Sequence, residues 1–232
     1  MTTFSDAGIS FGIIPEERTE EVLKLIADHF YPDEPLTRSL GIKRHFLIDS
    51  IMGDVIKGGC CVMATNSEGE IIGVRLADVV ERNQRSKKFM ERALMSAIPK
   101  FAWVFRKKQL CRIMEAYKEL ARKLEFDVWT MFDELGCQKI QNDICVCTSK
   151  NGRVKGLGTE LVKQGEALAK EKGCEYSLNL VTGLYSGIIF REKCNYIVMK
   201  EVIYAEFLDK KGDLYLNDTR EHTSCFSCYK KL

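Results

Sequence analysis

The sequence predicts a mixed α/β fold, in which helices lie on a central sheet. Apolar runs of strand length alternate with helical stretches in the order β-α-α-β-β, a helical insertion, then β-loop-α-β-α-β-β. In the second half, an apolar run leads through a basic, glycine-bearing turn into the start of a helix. The 232 residues fit one domain, and a hydrophobic content of 45% is sufficient for a sizeable core.

A strand and two helices open the chain. Their predicted bounds are residues 9–14, 16–30 and 42–56. The first helix presents an apolar face formed by Val22, Leu25 and Ile26. Pro32 and Pro35 end it, because the residue before a proline is pushed out of the helical region. Two strands follow at 60–65 and 71–80, joined by a hairpin turn at 66–70.

The second half begins with a helical insertion. Residues 82–132 are rich in Lys, Arg, Glu, Met and Leu, and they are predicted to form two or three helices; the insertion itself covers about residues 83–132. A long strand, a glycine turn and a helix ended by Gly173 follow. The long strand is predicted at 139–148. Further strands are predicted at 176–181, 196–207 and 223–230, and a short helix at 184–193.

Charge and hydropathy exclude several partner classes. The net charge of +2 argues neither for nor against a polyanionic partner. The basic stretches at 85–88 and 106–112 are followed by charges of both signs, without an aromatic stacking series, so we expect a solvated helix face and no nucleic acid. No apolar run reaches the length of a membrane span, and the first residues lack a signal-peptide pattern. We therefore expect a cytoplasmic monomer that does not bind a membrane.

The cysteines and histidines do not indicate a metal site. Ten cysteines are present, and those in strand patterns, such as Cys145 and Cys147, are predicted to be buried free thiols. Cys225 and Cys228 have C-x-x-C spacing but no second pair at zinc spacing, so no metal is expected. The three histidines are His29, His45 and His222. We expect each to pack in the interior or to face solvent.

The turn at residues 153–159, R-V-K-G-L-G-T, is suited to holding a phosphate. The first amides of a helix have no internal partners and carry the positive end of its dipole, and glycines allow a ligand to approach the backbone. The spacing is neither that of the mononucleotide-binding loop nor that of the dinucleotide fingerprint. We therefore expect an anion at this helix start.

Arg153, Gly156 and Gly158 occupy the three defining positions of the R/Q-x-x-G-x-G/A signature, and here the chain resembles the GCN5-related N-acetyltransferases (GNAT). The resemblance implies a single domain over residues 1–232, with a central, mostly antiparallel, splayed sheet flanked by helices. It also implies acetyl-CoA as cosubstrate, with the pyrophosphate on the turn and no metal. The residues that it assigns to the cofactor are Cys145, Val146, Cys147, Arg153, Val154, Lys155, Gly156, Leu157, Gly158 and Thr159.

A second set of residues resembles the insect arylalkylamine N-acetyltransferases, which acetylate dopamine, tyramine, octopamine, serotonin and related amines. Residues 30–36, F-Y-P-D-E-P-L, are similar to the D-E-P-L segment of those enzymes. Residues 127–132 and the pair Tyr185–Ser186 extend the resemblance, which covers residues 9–230. It implies acetyl transfer to a small amine by direct attack on the thioester.

The same resemblance assigns catalytic roles. An alkylamine is mostly protonated at neutral pH, so a base must remove its proton. The D-E-P-L match places that base at Glu34, although Asp33 and Glu34 could instead cap and solvate a turn. Thr182 and Ser186 match two serines of the family. Ser186 would protonate the departing coenzyme A thiolate, and Tyr185 is the rival proton donor.

Two alternatives stay open from the residues alone. One keeps the fold but changes the acceptor to a polyamine, agmatine or a protein N-terminus, or takes a longer acyl donor. The other is a catalytically silent acyl-CoA-binding protein. Departures from the family pattern, such as Lys155 in place of arginine and T-G-L at 182–184, bear on amine preference.

Overall fold

The computed structural model describes residues 4, 8–42, 44, 46–84, 108–151, 154–209 and 211–232. The sheet consists of β1 Ser10–Ile13, β2 Val62–Thr65, β3 Ile71–Glu81, β4 Lys139–Thr148, β5 Tyr176–Val181, β6 Ile197–Ile203 and β7 Ser224–Lys231. The helices are α1 Thr19–His29, α2 Pro35–Ser39, α3 Phe46–Lys57, α4 Lys108–Lys123, α5 Val128–Leu135, α6 Leu157–Glu171 and α7 Leu184–Gly187, the last continuing as a π-helix over Ile188–Lys193. Of the predicted insertion, residues 85–107 lie outside the described part of the chain.

The seven strands form one sheet in the order β1-β2-β3-β4-β5-β7-β6. Every neighbouring pair is antiparallel except β4 and β5, which run parallel. The prediction of a mixed, mostly antiparallel sheet is therefore confirmed. The helix that the basic turn introduces, α6, connects the two parallel strands, as a parallel pair requires.

Helices cover both faces of the sheet, and β4 shows how its alternating side chains serve both. Cys145 and Cys147 pack with α1 residues such as Val22 and Ile26. Val146, between them, faces the other way and packs with Val162 of α6. Each strand residue thus points to the opposite face from its neighbours, which places a helix on either side of the β4 segment.

The sheet splays where β4 leaves β5. Pairing of these strands covers residues 140–143 of β4 and 176–179 of β5. Within the described pairs, β4 beyond Asp143 remains bonded to β3 alone. One extra residue, Ile144, interrupts the β3–β4 register at this point, since Leu76 pairs with Cys145 and Ala77 with Asp143. A bulge of this kind bends a strand, which accounts for the divergence.

Three element predictions need correction. The sequence pattern predicts Pro35 only as a helix end, but Pro35 is the first residue of helix α2, where a proline costs no hydrogen bond. The strand predicted over 196–207 ends at Ile203 and continues as a 3₁₀ turn, Tyr204–Glu206. The helix predicted over 184–193 is a single α-turn followed by a π-helix.

Candidate active site

A cavity of about 580 Å³ opens at the splay between β4 and β5. Its wall combines the end of β4, the start of α6, the loop after α1, the start of α7 and His222, two residues before β7. The lining residues are His29, Phe30, Asp33, Glu34, Pro35, Val146, Cys147, Thr148, Lys150, Val154, Lys155, Gly156, Gly158, Thr182, Gly183, Tyr185, Ser186, Ile189 and His222. Its volume is in the range of small-molecule sites, and the splay creates it without any break in the sheet core.

The start of α6 forms one end of the cavity. Gly156 is the N-cap residue with φ of 86°, a left-handed conformation that glycine adopts without strain, and no side chain caps the helix there. The Leu157 amide donates to the Val154 carbonyl oxygen at 3.3 Å, and the next amides of the first turn have no intrahelical partner and can bind an anion. Gly158 lies against the π-helix, because a Cβ at that position would stand 2.8 Å from Ile189 Cδ1. Lys155 lines the same end and adds a positive charge.

The other residues predicted to bind the cofactor divide into three groups. Val146, Cys147 and Val154 line the cavity with Lys155, Gly156 and Gly158. The described lining does not include Cys145, Leu157 or Thr159, and the side chains of Cys145 and Leu157 are buried in the core. Arg153 lies outside the described residues.

Cys147 is a buried thiol in the wall of the cavity. Burial raises its pKa to about 12, with Lys150 lowering it and Asp33 raising it to smaller extents. Its Sγ donates weakly to the Leu25 carbonyl oxygen at 3.9 Å. A thiol held in its protonated form does not attack a thioester readily.

Glu34 both caps a helix and lines the cavity. Its carboxylate accepts from the backbone N–H groups of Leu36 at 3.1 Å and Thr37 at 2.7 Å, which makes it the N-cap of α2. The capping role that the sequence offered as an alternative is therefore observed, and the same side chain also lines the cavity. The two backbone bonds fix the carboxylate in one orientation, while the cavity remains open to it.

Thr182, Tyr185 and Ser186 lie around the start of α7 and line the cavity together. Ser186 Oγ donates to the Gly183 carbonyl oxygen at 2.9 Å. The Thr182 carbonyl oxygen accepts from the Tyr204 hydroxyl at 2.6 Å, which anchors the end of β5. Tyr185 is half-exposed, and its ring meets the His222 ring edge-on at 6.3 Å.

His222 is a cavity residue that the sequence did not reveal. The Leu184 backbone N–H donates to its Nδ1 at 2.9 Å, and its Nε2 lies 3.2 Å from the Asp33 carbonyl oxygen. Because an N–H can only donate, Nδ1 carries no proton and Nε2 donates to Asp33, so the ring is the neutral Nε2–H tautomer. It joins the loop bearing Glu34 to the helix bearing Ser186. Since its partners lie far away in sequence, no local pattern could have predicted this.

The other histidines differ in position. His29 lines the cavity, and its Nδ1 accepts from the Lys150 backbone N–H at 3.5 Å. His45 lies outside the described residues. Within the described ranges, no group of three or more His, Cys, Asp and Glu side chains could hold a metal ion. None of the described helices is long and apolar enough to cross a membrane.

Solved structures with the same fold cover nearly the whole chain. Arylalkylamine N-acetyltransferase 2 from Aedes aegypti superposes with a TM-score of 0.81 at 21% identity, over 96% of this chain and 98% of that one. A mosquito arylalkylamine N-acetyltransferase like 5b gives 0.77 at 19% identity, over 97% and 100%. The Drosophila melanogaster polyamine N-acetyltransferase, which forms N-acetylagmatine, gives 0.73 at 16% identity, over 97% and 100%.

No protein-family model matches the chain, and no curated protein matches it by sequence. At these identities the structural comparison shows the fold. The fold is that of the GCN5-related N-acetyltransferases, as the motif resemblance predicted, and the structural neighbours include the insect arylalkylamine group.

Proposed function

We propose that the chain transfers the acetyl group of acetyl-CoA to the primary amine of an arylalkylamine. One observation carries the proposal: a single cavity joins an anion-binding helix start to a fixed carboxylate and to a pair of hydroxyl groups. The pyrophosphate of acetyl-CoA would bind the α6 amides at Gly156 and Gly158, with Lys155 beside it. Its thioester arm would follow β4 along Val146 and Cys147, where the strand has lost its β5 partner.

The reaction is a direct transfer. The amine nitrogen attacks the thioester carbonyl, a C–N bond forms and the C–S bond breaks. Glu34 accepts the proton that the ammonium loses before attack, directly or through water, and the coenzyme A thiolate takes a proton from a hydroxyl. The attacking nitrogen loses a second proton as the amide forms, and this proton restores the hydroxyl, directly or through water. The protonated state of Cys147 supports direct attack over an acetyl-cysteine intermediate, because a covalent route would need a thiolate.

The cavity wall favours an aromatic amine. Phe30, Tyr185 and His222 supply flat surfaces that suit an aryl group. The only carboxylates in the described lining, Asp33 and Glu34, are adjacent in sequence and bring both negative charges to one end. A dication such as agmatine or a polyamine would be bound best by carboxylates at both ends. Agmatine is the second candidate, because the Drosophila melanogaster enzyme with the same fold forms N-acetylagmatine and the two carboxylates could hold one of the two charges of agmatine.

The test is a coenzyme A release assay over tyramine, dopamine, serotonin, agmatine and spermidine. Wild type should turn over the arylalkylamines best. Glu34→Gln should lower turnover by about a hundredfold or more while acetyl-CoA affinity stays near wild type. The glutamine keeps a side-chain oxygen for the α2 cap, so its thermal unfolding midpoint controls for loss of structure. Turnover within about twofold of wild type would exclude Glu34 as the base.

A further outcome would change the function itself. Acetyl-CoA binding without turnover of any amine would indicate a silent acyl-CoA-binding protein. Preference for agmatine would place the two adjacent carboxylates at the guanidinium or amine end of that substrate.

We assign the proton for the thiolate to Ser186, with Tyr185 as the rival. Ser186 is partly buried and held by Gly183, whereas Tyr185 is half-exposed against His222. Ser186→Ala should slow the acyl-transfer step, and Tyr185→Phe should alter mainly the KM for the amine. Single-turnover rates of both variants decide between them. If Tyr185→Phe abolishes transfer and Ser186→Ala does not, tyrosine is the donor.

A further inference from the structure

An ion pair joins the acceptor side of the cavity to its cofactor side. Lys150 Nζ lies 3.3 Å from Asp33 Oδ1, and Arg220 Nη1 lies 3.5 Å from the same oxygen. Asp33 belongs to the loop after α1, next to the proposed base. Lys150 belongs to the loop between β4 and α6, and it lines the cavity with the α6 start.

The two sides of this ion pair can exchange partners. The side chains of Lys150 and Asp33 are 36% and 28% exposed, so water and ions reach both. An exposed pair at this separation contributes little, because solvation of the separated charges competes with it. A phosphate offers Lys150 more negative charge and stronger charge-assisted hydrogen bonds than one carboxylate does. A phosphate at the α6 start is therefore a better partner for Lys150 than Asp33.

We propose that Lys150 is shared: it holds Asp33 in the cofactor-free protein and turns to a coenzyme A phosphate when the cofactor binds, which leaves Asp33 with Arg220 alone and lets it attract the ammonium group of the amine. This inference rests on the proposed function and assigns Asp33 and Lys150 as residues that link the two substrates. Glu34 remains the base, and Asp33 contributes charge at the cavity mouth.

The charges of the described lining support this order of events. Without a ligand, Asp33 and Glu34 are balanced by Lys150 and Lys155, and Arg220 adds a further positive charge at Asp33. An incoming ammonium group thus meets no net negative charge. Once the cofactor phosphates occupy the lysines, the two carboxylates dominate the acceptor end. The amine then binds more tightly, and by linkage it tightens cofactor binding by the same factor.

Coenzyme A binding measured by calorimetry at fixed low ionic strength tests the shared lysine. Asp33→Asn should tighten binding by up to about fivefold, the size of one exposed ion pair, because Lys150 is released. Lys150→Met should weaken binding by about tenfold. In the Lys150→Met background, Asp33→Asn should change the affinity less than twofold, since no shared lysine is left to release.

Two matched controls test whether the effect of Asp33→Asn on coenzyme A affinity depends on the ion pair with Lys150 or only on the loss of a negative charge. Glu34→Gln removes a negative charge from the neighbouring residue and should change coenzyme A affinity less than Asp33→Asn does. In a Lys155→Met background, Asp33→Asn should still tighten binding as it does in wild type. If Asp33→Asn tightens binding equally with and without Lys150, the effect is a field effect and the proposal is wrong.

The link to the amine is measured with tyramine. Its affinity should rise by up to about fivefold when coenzyme A is saturating, because the coupling cannot exceed the strength of the ion pair that both ligands break, and this factor should fall to about one in Lys150→Met and in Asp33→Asn. An unchanged factor in both variants would overturn the proposal. Failure of wild type to bind coenzyme A at all would instead refute the proposed function, so the two failures are distinguishable.

Discussion

Two aspartates form ion pairs in different surroundings. The pair of Asp143 is buried at the point where β4 and β5 diverge, whereas the pair of Asp33 lies at the mouth of the cavity. Arg75 and Asp143 meet through two bonds of 2.7 and 2.6 Å, and their side chains are 0% and 2% exposed. Asp33 and Lys150 approach to 3.3 Å and remain open to solvent. Burial decides the difference: water and ligands cannot reach the buried pair, whereas they reach the solvated pair.

The buried pair joins four elements just below the cavity. Besides Asp143 on β4, Arg75 of β3 donates to Gln141 Oε1 at 2.9 Å and to the Val162 carbonyl oxygen of α6 at 2.8 Å. Ser177 of β5 donates to Asp143 Oδ2 at 3.1 Å. Asp143 is also the last β4 residue paired with β5. The network therefore fixes the strands and α6 where the splay begins.

This contrast explains how one site can be both rigid and exchangeable. The position of the α6 start relative to β4 is set by contacts that no ligand reaches. Asp33 and Lys150, by contrast, line the cavity from loops, and their ion pair is open to solvent. Experiments that remove one charge from each pair should therefore give effects of very different size.

The largest effect is expected for Arg75→Ala. Removing one partner of a buried ion pair leaves the other charge without compensation and costs about 3–5 kcal/mol. Urea denaturation should show this loss in the free energy of unfolding. A loss below about 1 kcal/mol would mean that water replaces the guanidinium, and the buried pair would then resemble the one at the mouth.

Gly165 of α6 provides a control for that measurement. A Cβ at this position would stand 2.1 Å from Arg75 Nη1, so Gly165→Ala should destabilise the wild type. In the Arg75→Ala background the clash is gone, and alanine should stabilise the helix by up to about 1 kcal/mol over glycine. A destabilising effect in both backgrounds would show that Gly165 is required for another reason.

The sequence predicted the parts of the molecule that follow from local patterns. The apolar face of α1 is confirmed, since Val22, Leu25 and Ile26 are buried. The basic turn does lead from a strand into a helix, and its glycines meet the cavity. These features depend on residue spacing within one element, which a sequence states directly.

The sequence could not predict features that depend on distant partners. Arg75 lies within an apolar strand pattern, and its partners on β4 and α6 are known only once the sheet is formed. His222 likewise acquires its role from Leu184 and Asp33. Helix α2 was missed for a local reason, because a proline that ends one helix can also begin the next.

An effect of intermediate size on stability is expected at alkaline pH, because several buried cysteine thiols then lose their protons. Burial raises the pKa of Cys61, Cys147, Cys174 and Cys225 from 9.0 to about 12. A thiol with a raised folded-state pKa stabilises the native form fully below its unfolded-state value, and this contribution is lost as the pH rises through the folded-state value. Stability should hold to about pH 8 and decline from about pH 9 upward. Thermal unfolding midpoints across this range would show the decline.

Cys225→Ala serves to assign that slope to the thiols. The variant costs stability at every pH, because it removes buried volume, but its midpoint should fall less steeply above pH 9. A wild-type midpoint that is constant between pH 8 and pH 10 would contradict the assignment of raised thiol pKa values. An equal slope in the variant would assign the decline to other groups.

The smallest effect on stability is expected for Asp33→Asn at the mouth. Its two ion pairs are long and solvated, so their loss should lower the free energy of unfolding by less than about 1 kcal/mol. The backbone carbonyl that accepts from His222 is unchanged by the substitution, so the loop should keep its position. Urea denaturation at low and high salt measures the effect, which should shrink further as salt screens the charges. A loss near that of Arg75→Ala would make Asp33 a structural residue, and its ion pair with Lys150 would no longer be one that a ligand can replace.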